Sequence, residues 1–295
     1  SREIPELKKP KKFSDRNCVR KMLSSEELNR IYRQAYLPEH LPEYVEAISD
    51  AQAHLFGNYL CFTRKAHLIF IGYPLGVNSD DTSRAYSSAC EHLEPATVAL
   101  IAPDIWLPPA EVKIQSRDFY YRCQLPLETI EPKTAYMVRR AERELTLSYG
   151  SFHKEHKKLV RAFLKMHQLT AEQTYVYRHI DRYLKHSSTV RILEARRQNV
   201  LVAFTVVDTG SADYAFYLFN FRSQKENVPG ASDLLFKAML DLAQSEGKKA
   251  VNLGLGIHQG IRQFKEKWKG EPFLPYRAAW IERKAPDFGE LAQKL

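Results

Sequence analysis

Residues 251–270 read VNLGLGIHQGIRQFKEKWKG: an apolar run, three glycines spaced G-x-G-x-x-x-G, then lysines at 265, 267 and 269. Glycines after a strand can bring backbone amides against a phosphate. A dinucleotide loop, however, needs G-x-G-x-x-G after the first strand of a βαβ unit and an acidic residue about 20 positions on. Neither condition is met, and the GK[ST] that closes a P-loop is also missing. What remains is a lysine-rich segment beside glycines, which on residue types alone reads as a solvated basic helix or as a contact for phosphate or nucleic acid. Metal chemistry finds no such pattern. His153 and His156 share one helical segment without HExxH or an acidic neighbour pattern. Cys18, Cys61, Cys90 and Cys123 form no CxxC pair and read as reduced core thiols.

The positive charge is unevenly distributed. Residues 1–132 hold 16 Lys/Arg against 18 Asp/Glu, while residues 133–295 hold 28 against 17, so the whole excess lies in the second half. An anionic partner follows from that asymmetry: RNA, a nucleotide phosphate or an anionic lipid surface. Arg139, Arg140, Arg143, Lys154, Lys157, Lys158, Arg161 and Lys165 fall in one stretch whose only acids are Glu142, Glu144 and Glu155. From Lys154 onward the cations recur at three- and four-residue spacing, which gives a basic helical face opposite an apolar one.

These groups need a scaffold, and the composition, 44% hydrophobic and 27% charged, is that of an ordinary globular chain. The longest apolar run, VLVAFTVV (200–207), is far short of the ~20 residues of a membrane helix, so a cytoplasmic protein is expected. Residues 1–13 read as a basic arm. A capped helix over 24–36 is followed by a hairpin over 54–76 split at TRKA, a helix over 79–93, and strands over 96–103 and 118–127. The charge changes sign near residue 132, which we take as a domain junction between 14–132 and 133–295. Helices are expected over 133–144, 154–169 and 171–185, then three strands in a row over 189–197, 199–209 and 213–222. A strong helix over 231–247, a strand over 248–255, a helix over 260–268 and a strand over 272–283 complete the chain. Strands meandering into a βαβ unit make an α+β fold rather than a doubly wound one.

Two segments carry a family resemblance. VPGASDLLFKAMLDLAQSEGKKAVNLGLG (228–256) resembles the helix and glycine-ended strand of the FemAB/FemX-like branch of the GNAT acyltransferase superfamily, and GIRQFKEKWKG (260–270) resembles its G-x-x-x-FK-x-x-[FW]-G signature. KTAYMVRRAERE (133–144) is similar to the short basic helix that opens the family's second domain. The branch includes tRNA-dependent aminoacyltransferases of peptidoglycan bridge synthesis, and the catalytic domain of phosphatidylglycerol lysyl- and alanyltransferases is a related form. The resemblance implies tandem GNAT-like domains, each a mixed, mostly antiparallel sheet flanked by helices, with the first a degenerate copy. It also implies an acyl-transfer site where the strands over 213–222 and 248–255 splay apart. Lys265 would stabilise negative charge there, Tyr217 would donate a proton, and Asn220 would line the cleft. Strict strand alternation puts Tyr217 and Asn220 on opposite faces unless a bulge intervenes. Trp268 is expected to plug the core.

The donor is either aminoacyl-tRNA or an acyl-CoA, and no tightly bound cofactor is expected. Acetyl-CoA enzymes of this superfamily bind pyrophosphate through an [RQ]-x-x-G-x-[GA] loop at a helix N-terminus. Here the chain has RSQKENVPGASD with one glycine and a proline that lacks an N–H. Gly230, Ala231, Ser232, Asn252, Gly254 and Gly256 are the donor-binding candidates, and the basic residues from Arg139 to Arg161 are the candidates for tRNA or a lipid-linked, phosphate-bearing acceptor. An acetyl-CoA-dependent N-acetyltransferase and a non-catalytic RNA-binding protein on the same scaffold are the alternatives.

Overall fold

The computed structural model describes residues 23–76 and 81–283; Cys18 and the basic arm lie outside them. Helix α1 (Ser25–Gln34) begins where Ser24 and Glu27 cap each other reciprocally. After a 3₁₀ turn (Pro38–His40), α2 (Pro42–Ser49) starts on a proline. The expected hairpin is a three-stranded meander, β1 (Gln52–Phe56), β2 (Tyr59–Arg64) and β3 (His67–Ile71). The additional reversal falls at Gly57, whose φ of 61° suits a glycine. Helix α3 (Thr82–Leu93), β4 (Thr97–Ala102) and β5 (Val112–Gln124) follow.

Next come α4 (Pro132–Glu142), a short strand β6 (Thr146–Gly150), α5 (Lys154–Met166) and α6 (Ala171–His186). The three expected strands are β7 (Val190–Arg197), β8 (Val200–Asp208) and β9 (Tyr214–Arg222). Helix α7 (Ala231–Ser245), β10 (Ala250–Leu255), α8 (Gln259–Lys267) and β11 (Glu271–Glu282) end the described chain. Strand β6 and helix α2 have no counterpart in the sequence reading. Among the described residues no helix is long and apolar enough to cross a membrane.

All strands join one 11-stranded sheet, ordered β1-β2-β3-β4-β11-β5-β10-β9-β8-β7-β6. The pairs β3–β4 and β9–β10 are parallel and the others antiparallel, so the sheet is mixed and mostly antiparallel, as expected. The last strand does not stay with its own half of the chain. Strand β11 inserts between β4 and β5, with Leu100 opposite Ala279 and Phe119 opposite Pro275. Strand β5 in turn pairs with β10.

Side chains of successive strand residues alternate between faces, and the cores follow that alternation. On β7, Ile192 packs in a core with α5 and α6, while Leu193 packs in a core with α4 and α7. Trp268 is buried in the α4–α7 core and its indole N–H donates to Asp233 Oδ1 at 3.0 Å. At the other end of the sheet, α3 packs against β2, β4 and β11, and α1 covers the opposite face. Cys61, Cys90 and Cys123 are free thiols buried in these cores.

Candidate active site

Strands β9 and β10 are paired only from Tyr214–Phe216 to Ala250–Asn252. Beyond Asn252 they separate, and a wedge opens between the rest of β9 and the end of β10. Two irregularities shape its walls. In β9 the register to β8 shifts between Tyr217 and Phe219. That bulge cancels the alternation: Tyr217 stacks edge-on against Phe236 of α7, and Asn220 Nδ2 donates to Ser232 Oγ at the start of α7, so both face the same helix. In β10 the register to β5 shifts between Asn252 and Gly254. Gly254 has φ +72° with open space beside it, so the backbone conformation is what calls for glycine there.

Helix α8 places Lys265 at the end of this wedge. The side chain is 3% exposed, its Nζ donates to the Leu255 carbonyl at 2.6 Å, and it lies 5.5 Å from the centroid of the Tyr121 ring. Burial lowers its pKa to about 7, and the Asp118 carboxylate opposes that shift. At neutral pH this lysine therefore exists in both protonation states, the condition under which a side chain transfers protons most readily. Lys267 differs: it pairs with Asp233 at 2.5 Å.

Asp118 builds the loop between β10 and α8. Its Oδ2 accepts the Ile257 amide at 2.7 Å. A Cβ on Gly256 would come within 2.8 Å of Asp118 Oδ1 and 3.1 Å of the Tyr121 ring, so glycine is needed for close approach. The His258 amide returns to the Gly256 carbonyl at 2.7 Å around Ile257, whose φ is +55°. This is a γ-turn of the strained, positive-φ kind on a β-branched residue, and Ile257 is 57% exposed. Asp118 and Tyr121 escaped the sequence reading because SRDFYYRC shows only strand alternation.

Other sequence candidates have structural occupations. Asn252 is fully buried, with Nδ2 on the Tyr36 carbonyl at 2.8 Å and Oδ1 on the Gly254 amide at 2.8 Å, so its amide ties the N-terminal helices to β10 rather than facing a donor. At Gly230, with φ +86°, a Cβ would stand 2.3 Å from the Met137 carbonyl, so this glycine admits α4 rather than a ligand. Ala231 is buried, and Ser232 is engaged by Asn220. A groove of about 490 Å³ runs past Met137, Arg222, Ser232, Asp233, Phe264 and Lys267. The buried Asp233 carboxylate sits in the first turn of α7, held by Lys267 and Trp268. It supplies internally the negative charge that a helix N-terminus attracts.

The basic residues do not form one patch. Arg139, Arg140 and Arg143 are exposed at the end of α4, which packs with α7, whereas Lys154, Lys158 and Arg161 are exposed on α5, which packs on the other face. Lys157 is paired with Asp181 at 3.3 Å. Among the described residues no cluster of His, Cys, Asp and Glu could hold a metal ion.

No protein-family model matches the sequence, and no curated protein matches it. Solved structures do resemble it. The C-terminal domain of a protein from Agrobacterium fabrum assigned as a lysylphosphatidylglycerol synthetase is 16% identical, with 91% of this chain and 94% of that one covered and a TM-score of 0.59. L-PGS from Bacillus licheniformis is also 16% identical, with 94% and 98% covered and a TM-score of 0.59. FemX is 10% identical, with 87% and 96% covered and a TM-score of 0.59. The chain shares the fold of FemX and of these two synthetase structures. In this fold the FK pair of α8 brings Lys265 to the Leu255 carbonyl at the end of β10.

Proposed function

We propose that the protein is an acyltransferase that uses the β9–β10 wedge to pass an aminoacyl group from aminoacyl-tRNA to an amine or hydroxyl acceptor. The observation that carries this reading is Lys265: buried, tied to Leu255 at the end of the wedge, and with a pKa near 7. Attack by an amine forms the new C–N bond and breaks the C–O bond to the donor. The proton lost by the amine must reach the departing oxygen. A lysine that is both acid and base at neutral pH can deliver it, and in its charged form stabilises the oxyanion.

Two features favour tRNA over CoA. Asp233 occupies the place at the α7 N-terminus where a pyrophosphate would seek amides, and Pro229 removes a donor from the preceding loop. The exposed arginines of α4 and Arg222 border the same side and suit an RNA backbone.

Presenting radiolabelled aminoacyl-tRNA and acetyl-CoA separately, with amine and lipid-hydroxyl acceptors, tests the proposal. Transfer from the tRNA alone, reduced by about 10²-fold or more in Lys265→Ala, is the expected result for loss of an acid–base group. Transfer unaffected by Lys265→Ala would place the chemistry elsewhere, and transfer from acetyl-CoA alone would reverse the donor assignment.

A further inference from the structure

Lys265 is shut away from solvent. The side chain is 3% exposed, and among the described residues the Leu255 carbonyl is the one acceptor that its Nζ bonds. In its charged form a lysine has three N–H donors, so two are left without an acceptor. Buried donors of that kind call for an explanation, and a substrate oxygen supplies one only if the chain above the amine can move.

That chain is the loop of residues 254–258, which joins β10 to α8. Gly256 is buried against Asp118, the Arg262 stem of α8 and the Tyr121 ring. Lys265 Nζ lies over the same ring and bonds the carbonyl of the residue before Gly256. Beyond Gly256 the loop is held by hydrogen bonds rather than by packing. The Ile257 side chain is 57% exposed, and Phe119, whose carbonyl takes the Gly256 amide at 3.1 Å, is 49% exposed. No apolar anchor holds the tip.

Asp118 ties it down instead. Its Oδ1 accepts the Phe119 amide of its own strand at 2.7 Å and its Oδ2 accepts the Ile257 amide at 2.7 Å, so one carboxylate clips the loop to β5. The backbone it clips is strained, since φ is +55° on a β-branched residue at the centre of a γ-turn. Such strain persists only where neighbouring contacts impose it. Here those contacts are the Asp118 bond and the 2.7 Å return from the His258 amide to the Gly256 carbonyl. Breaking the Asp118 bond therefore frees the tip and removes strain together. Both ends of the loop suit a pivot. Gly254, at φ +72°, has open space beside it, and His258 stays with α8, where its Nδ1 accepts the Ile261 amide at 3.4 Å.

We propose that Asp118 latches the loop 254–258 over Lys265, and that the loop lifts to let an acyl donor reach the amine. A strained, exposed tip held by a few hydrogen bonds belongs to the part of a fold that opens locally, without global unfolding. Closed, the loop keeps water from the amine; open, it admits substrate. That an acyl donor is what enters rests on the transferase reading; the latch and its opening do not.

Acetylation of Lys265 by succinimidyl acetate, read by peptide mass spectrometry on the full chain without substrate, measures the opening. Labelling at pH 9, well above the Lys265 pKa of about 7, keeps the amine neutral in every variant, so differences in rate report access. Hydrogen exchange of the Ile257 amide follows the latch itself. In the wild type both rates should be unchanged by sub-denaturing urea, the mark of local opening. Asp118→Ala should raise both at least tenfold. Asp118→Asn, which keeps an oxygen for the Ile257 amide, should fall between, and Asp241→Ala, on the far helix α7, should change neither. Rates that rise with urea as global unfolding does would mean that the loop never opens by itself, and would overturn the proposal. Lys265 labelling through local opening while the Ile257 amide stays protected would overturn it too, because another element would then be the cover. These wild-type readouts decide the matter if Asp118→Ala does not fold; if it folds with both rates unmoved, Asp118 is not the latch. Failure of acyl transfer with every donor, with labelling and exchange as expected, would sink the transferase reading and leave the latch standing.

Discussion

Lys265 Nζ and the Leu255 carbonyl, 2.6 Å apart, join α8 to the end of β10 across the loop that separates them. Because the amine is buried, its protonation is tied to folding. The unfolded chain holds this proton up to the ordinary lysine pKa of about 10.4, whereas the folded chain releases it near 7. Between those values the unfolded state binds more protons, so Lys265 makes stability rise with pH, by at most about 1.4 kcal/mol per pH unit. Below about 7 both states are charged and the full burial penalty remains. Urea melts of wild type and Lys265→Met at pH 7, 8 and 9 should diverge, the wild type gaining stability relative to the variant as pH rises. Parallel profiles would show that Lys265 keeps its proton in the fold.

Gly254 and Gly256 are expected to fail differently when replaced by alanine. Gly254→Ala meets only an unfavourable φ, at a cost of about 1–2 kcal/mol, and should lower the melting temperature with a modest effect on transfer. Gly256→Ala drives a methyl into Asp118 and Tyr121, the residues that position the loop and underlie Lys265. Its loss of activity should exceed its loss of stability. Equal activity in the two variants would separate the loop from the chemistry.

The Asp233 carboxylate serves both Lys267 and Trp268. Asp233→Ala leaves the buried indole N–H without a partner, which costs about 1–3 kcal/mol. It also exposes the start of α7 to outside anions. Denaturant melts should show the loss, and pyrophosphate should restore part of it in the variant while leaving the wild type unmoved. A wild type stabilised equally by pyrophosphate would mean that the helix terminus is open already.

RNA binding should follow the division of basic residues between the two helices. Arg139→Ala with Arg140→Ala, on the groove side, should weaken tRNA binding and lower its salt dependence by about two ionic contacts. Lys157→Ala should do little, since Asp181 already pairs with that lysine. Filter binding between 50 and 200 mM salt measures both, and a larger effect from Lys157 would move the RNA to the α5 face.

Much of this architecture could be read from the sequence where the cause is local. The β7–β8–β9 meander follows from apolar runs broken at RQN and GSA, and α7 from its apolar face and Gly247. Long-range effects were not readable. Tyr217 and Asn220 share a face only because β9 bulges against β8, a property of pairing rather than of either residue. Asn252 reads as a cleft residue until the Tyr36 carbonyl arrives from the far end of the chain.

The placement of β11 has a consequence for synthesis. Leu100 waits for Ala279 and Phe119 for Pro275, so β4 and β5 emerge from the ribosome long before the strand that separates them. Until that strand is made, the first half presents two unpaired edges, a state that favours contact with other chains. Strand β11 acts as a late-arriving keystone, and the wedge with its lysine can form only once nearly the whole described chain has been translated.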